Sequence, residues 1–191
     1  DKQFGTRAAK SLKIMGERGC KTSLDLVSVA HPDFARIVSA ALPYTDYLII
    51  NEVESGMATD LRLRDEETGI ILPEQVKNAA ARLLESGVRE LVAIHFPEGG
   101  YGLNRDGGDV FTPSVQIKTE EIKGTVGAGD AFCAGMLYGL HQKFPLEKCL
   151  AFANGVARYS LLDETSTRGI EHHSTILQFM ESAPQSRNIF D

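Results

Sequence analysis

The stretch Gly124-Thr125-Val126-Gly127-Ala128-Gly129-Asp130-Ala131-Phe132 concentrates the residues best suited to chemistry. Glycines let the backbone turn tightly and approach a ligand with no Cβ in the way. A helix starting near Ala128 directs its free N–H groups into that turn. Such a terminus attracts phosphate through hydrogen bonds and the helix dipole. Asp130 falls in the first helical turn, beside that anion site. Its carboxylate is placed to accept a proton from a hydroxyl attacking a phosphoryl group. No Walker-type lysine follows, and the loop does not follow a strand at the spacing of the dinucleotide fingerprint. The same residues also read as a tight glycine turn with Asp130 as a favourable charge at a helix start. Residue types alone leave both readings open.

Asn51 and Glu54 are three apart and share a face if a helix begins between them. An amide and a carboxylate at that spacing can hold magnesium-bound waters and orient phosphates. They also fit a capping box, and the two roles are compatible. Asp25 ends an apolar segment. It suits either a cation or phosphate site at the C-terminal edge of a sheet, or a simple turn.

The elements that must position these residues are legible as alternating periodicities. Phe4, Ala8, Leu12 and Met15 predict a helix over Gln3–Arg18, with Gly19 as its C-cap. Thr22–Val27 predicts a short strand. A helix begins at His31-Pro32-Asp33 and ends at Pro43. Asp46–Ile50 is a continuous apolar strand, as expected where both sheet faces are covered. Asn51–Met57 is a loop running into a short helix. Val76, Ala79, Ala80, Leu83 and Leu84 predict a helix over Pro73–Ser86. Leu91–Phe96 is a second buried-type strand, followed by the loop Pro97–Gly100. Asp106-Gly107-Gly108 predicts a hairpin between Tyr101–Asn104 and Asp109–Phe111, and Ile117 marks an edge strand. Helices are expected over Ala128–Leu140, Leu146–Leu161 and Thr175–Met180, with a loosely held end from Ala183. This alternation predicts an α/β fold with a mostly parallel sheet and helices on both faces.

Composition narrows the classes. The chain has 191 residues and a formal net charge of -6. That charge disfavours a nonspecific nucleic-acid binder, and no basic tract interleaved with aromatics occurs. No stretch of about 20 apolar residues is present, so no membrane span is expected. Cys20, Cys133 and Cys149 are far apart, without zinc-site spacing, and read as reduced thiols of a cytoplasmic protein. No direct metal ligation is expected.

Gly124–Phe132 resembles the C-terminal signature of the ribokinase-like carbohydrate kinases, the phosphofructokinase B type. Asn51-Glu52-Val53-Glu54 is similar to that family's Asn-x-x-Glu motif, and Asp25 to its strand-end aspartate. Ala153-Asn154 resembles the asparagine-bearing helix near the nucleotide base. The resemblance implies a three-layer, Rossmann-like ribokinase fold with a mostly parallel sheet. It also implies that the family's N-terminal part and lid are absent, with residues 1–183 forming the nucleotide-binding part and 184–191 a tail. The implied activity is ATP-dependent phosphorylation of a hydroxyl on a sugar, polyol or similar small molecule, by a longer parent chain. Asp130 would be the catalytic base, and the backbone of Gly127, Ala128, Gly129 and Asp130 the anion hole. Asn51 and Glu54 would position magnesium and phosphate. His95, Glu98, Gly100 and Asn154 would lie at the nucleotide. ATP and Mg2+ are the implied cofactors, K+ is common in the family, and a homodimer is the implied assembly of the longer protein.

The pattern departs at His95-Phe96-Pro97, where the family has a threonine and then a glycine. Proline removes a backbone donor and fixes its own dihedral. That departure keeps a second reading open, a noncatalytic nucleotide-binding or regulatory module.

Overall fold

The computed structural model describes residues 2–165 and 167–190. Helix α1 (Arg7–Glu17) is capped by Thr6, whose side chain accepts the Ala9 N–H at 3.0 Å. Strand β1 is only Ser23–Leu24, and it runs parallel to β2 (Tyr47–Asn51) in the register Ser23↔Tyr47 and Leu24↔Leu48. Asp46 fixes that register. Its buried carboxylate accepts the Thr22 N–H at 2.7 Å and the Thr22 hydroxyl at 3.0 Å. Between these strands lie α2 (Phe34–Ala41) and a short 3-10 turn at Leu42–Tyr44.

Helix α3 (Glu52–Thr59) follows β2 directly, and α4 (Pro73–Glu85) starts with proline at a position that needs no donor. The expected apolar stripe of α4 is buried from Val76 to Leu84. Strand β3 (Leu91–Phe96) has four consecutive buried residues, Leu91–Ile94, as a strand covered on both faces should.

The chain then reverses twice. Pro97 and Glu98 alone separate β3 from β4 (Gly99–Asn104), and a second tight turn leads into β5 (Asp109–Pro113). Links this short permit only antiparallel pairing. The sheet has the order β1-β2-β3-β4-β5, and two of its four strand pairs are parallel. It is therefore mixed, which corrects the expectation of a mostly parallel sheet.

After a 3-10 turn at Thr119–Glu121 come α5 (Ala128–His141), α6 (Leu146–Ser160) and α7 (His173–Ser182). Ala131, Phe152, Val156 and Ile176 form their shared core, with Tyr138, Tyr159 and Met180 packed against it. The expected edge strand at Ile117 is replaced by an isolated bridge between Val115 and Gln185. Segment 184–190 is therefore held. The Gln116 N–H donates to the Pro184 carbonyl and the Ser186 N–H to the Ser114 carbonyl, each at 2.7 Å. Phe190 stacks on Phe111 at 4.5 Å and on Tyr101 at 5.3 Å between ring centroids.

The molecule divides into two compact units, Asp1–Ile94 with Gly102–Asp109, and His95–Tyr101 with Val110–Asp191. The candidate functional residues fall into both. Among the described residues no helix is long and apolar enough to cross a membrane.

Candidate functional site

In the second unit the glycine loop leads into α5. Gly127 is its N-cap at φ 86°, a left-handed conformation that penalises any side chain. Its carbonyl accepts the Ala131 N–H at 2.8 Å, which closes the first helical turn. The Ala128 N–H is used within the loop, bonding the Thr125 carbonyl at 3.3 Å. The N–H groups of Gly129 and Asp130 have no acceptor among the described residues. Two open donors thus stand at the positive end of a 14-residue helix. The Asp130 side chain is exposed beside them, and Val126 on the same loop is 78% exposed.

His95 covers this helix start. A side chain at Gly129 would meet the His95 ring at 3.5 Å, and the ring stacks on Phe132 at 4.6 Å between centroids. Burial there pushes the imidazole down to about 4, because desolvation disfavours its charged form. His95 is therefore neutral at pH 7, and offers a ring N–H or a lone pair to a neighbouring group.

The other expected nucleotide residues have definite structural work. Gly100 is buried, and a Cβ there would meet Phe132 at 3.0 Å and Leu150 at 3.2 Å. Asn154 is 3% exposed, and its amide donates to the Thr112 carbonyl at 2.9 Å, tying α6 to β5. Glu98 is partly exposed in the turn before β4. Arg158, which sequence reasoning missed, holds that turn. Its guanidinium donates to the Pro97 carbonyl and, through Nε, to Ser114 Oγ at 2.7 Å. Thr112 was missed as well. Its hydroxyl is buried and has no hydrogen-bond partner among the described residues, an orphan polar atom beside the Asn154 bond.

In the first unit, Asn51 and Glu54 form the capping box of α3. Asn51 Oδ1 accepts the Glu54 N–H at 2.8 Å, and Glu54 Oε2 accepts the Asn51 N–H at 3.1 Å. Ser28 completes the arrangement, donating to Glu54 Oε1 at 2.8 Å and receiving Asn51 Nδ2 at 3.1 Å. Glu54 is 3% exposed. Burial pushes its carboxyl above the ordinary range and nearby Asp25 adds to this, while the bonds from Asn51 and Ser28 oppose it. Asp25 accepts the Leu26 N–H at 2.8 Å. Glu52 turns elsewhere, pairing with Arg64 at 3.1 Å. Among the described residues no group of three His, Cys, Asp or Glu side chains could hold a metal ion directly.

These features suit phosphate and a hydrated cation. Two open amides at a helix start fit an anion. A buried carboxylate with one protein bond on each oxygen keeps lone pairs for the waters of magnesium. The model of the pfkB family of carbohydrate kinases matches residues 2–172. The chain belongs to that family.

Relatives agree. A cytidine kinase of Thermococcus kodakarensis is 43% identical over 77 residues, covering 40% of this chain and 27% of that one. The Arabidopsis thaliana ribokinase complexed with ribose and ATP superposes with a TM-score of 0.73 at 20% identity, over 91% of this chain and 52% of that one. Escherichia coli phosphofructokinase-2 in complex with potassium gives a TM-score of 0.73 at 18% identity, over 93% and 52%. The chain thus spans about half the length of these solved structures, and its matches cover 27% to 35% of the curated relatives.

Proposed function

We propose that the whole protein transfers the γ-phosphoryl group of ATP to a hydroxyl of a sugar or similar small polar molecule. The observation that carries this reading is the start of α5, where the two open amides of Gly129 and Asp130 adjoin the exposed Asp130 carboxylate. Asp130 acts as general base, taking the proton of the attacking hydroxyl. The Gly129 and Asp130 amides, with the turn at Gly127 and Ala128, stabilise charge on the transferring group. Phosphoryl transfer depends mainly on such positioning and charge stabilisation. Mg2+ supplies charge neutralisation when bound, and Asn51 and Glu54 orient its waters. His95 faces the anion site as a neutral hydrogen-bonding ring. Glu98, Gly100 and Asn154 shape the nucleotide region, Gly100 by close packing and Asn154 by holding β5.

The test is ADP release by the full-length protein, with Mg2+, with and without K+, against a panel of sugars, polyols and nucleosides. Acceptor-dependent turnover is expected. A second reading, a nucleotide-binding module without transfer, draws on Pro97 and on the Asn154 amide already bonded to Thr112. Tight binding of an ATP analogue with no turnover on any acceptor would favour it.

A further inference from the structure

We infer that Ser28 is a positioning residue for the cation site, fixing the Glu54 carboxylate so that it serves the waters of magnesium. This rests on the role proposed above for Asn51 and Glu54.

The hydrogen bonds around Ser28 have only one consistent set of directions. The Asn51 side-chain oxygen is taken by the Glu54 N–H, which aims the amide nitrogen at Ser28. An amide NH2 can only donate, so Ser28 Oγ is the acceptor of that bond. The single Ser28 proton then goes to Glu54 Oε1. The other carboxylate oxygen already accepts the Asn51 backbone N–H. Both oxygens of Glu54 are therefore acceptors, an arrangement that favours the ionised form against its burial.

The topology explains how Ser28 reaches this point. Segment 25–33 follows β1 and α3 follows β2, and these parallel strands deliver both to the same C-terminal edge of the sheet. Ser28 is the centre of a tight turn in which the Val29 N–H bonds the Val27 carbonyl at 2.8 Å. Val27 and Val29 stand 75% and 52% exposed on either side, so apolar burial does not hold the segment there. Ser28 itself is exposed while Glu54 is not, which makes its hydroxyl the solvent-side contact of Oε1. Outer-shell partners of this kind orient the groups that meet a metal and its waters.

The test is calorimetric titration of ADP into the full-length protein with and without Mg2+, comparing wild type, Ser28→Ala, Ser28→Thr and Glu54→Gln. Ser28→Ala should cut the Mg2+-dependent gain in ADP affinity about tenfold while leaving Mg2+-free affinity within about twofold. Ser28→Thr, which keeps the hydroxyl, should restore the gain. Glu54→Gln should lose it. A full gain in Ser28→Ala alongside a lost gain in Glu54→Gln overturns the positioning role alone. So does an equal fall in Mg2+-free affinity, the mark of a merely structural loop defect. A full gain in Glu54→Gln overturns the underlying reading of the cation site.

Discussion

His95 shows how one side chain reports its surroundings. Packed on Phe132 and over Gly129, it is held near 4, below the ordinary histidine value of 6.5. The unfolded chain binds that proton more readily, so stability rises with pH wherever the two states differ. The contribution is present above pH 6.5 and is lost as pH falls toward 4. The slope is at most about 1.4 kcal/mol per pH unit. Replacing His95 with Phe should flatten the denaturation midpoint across that window, as urea titrations at several pH values would show. An unchanged pH slope would contradict a neutral, desolvated ring. Signals carried within a few residues were readable beforehand: Gly127–Asp130 as a helix start, and Asn51-x-x-Glu54 as a capping box. The bond from Asn154 to Thr112 was not readable, because the two residues lie 42 positions apart. Ser28 lies 26 positions from Glu54 and had no motif to announce it.

Among the elements, close helix packing sets the frame of the α5 start. A Cβ on Gly135 would lie 2.7 Å from the Ala153 Cα, and one on Gly139 3.1 Å from the Cys149 Cα. Backbone cannot yield as a flexible side chain does. Gly135→Ala should therefore destabilise the protein by about 1–3 kcal/mol through overpacking. Chemical denaturation measures this directly, and a neutral result would contradict the tight α5–α6 contact. The helices were legible because a 3.6-residue period survives in one sequence. The sheet's direction was not. Gly99-Gly100 reads as a loop because glycine is depleted in strands. In the structure a Cβ at Gly99 would sit 2.4 Å from the Thr112 carbonyl, so glycine is what admits the neighbouring strand. The two-residue link before it reverses the chain and makes the sheet mixed.

For the molecule as a whole, the end of the chain does more than its composition suggested. Residues 184–186 pair with 114–116, and Phe190 lies against the Tyr101 and Phe111 rings. Phe190→Ala should cost about 1–2 kcal/mol, lowering the denaturant midpoint. A midpoint equal to wild type would show that the stacking contributes nothing. Asp130 is the proposed base that removes the proton of the hydroxyl attacking ATP, at a helix start that would hold the phosphoryl group. Its most direct test is Asp130→Asn in the full-length protein, with turnover measured on the best acceptor and Mg·ADP affinity by calorimetry. The expected result is a fall in kcat of at least ~100-fold, with nucleotide affinity within about twofold of wild type. Near-wild-type turnover by the folded variant would contradict it.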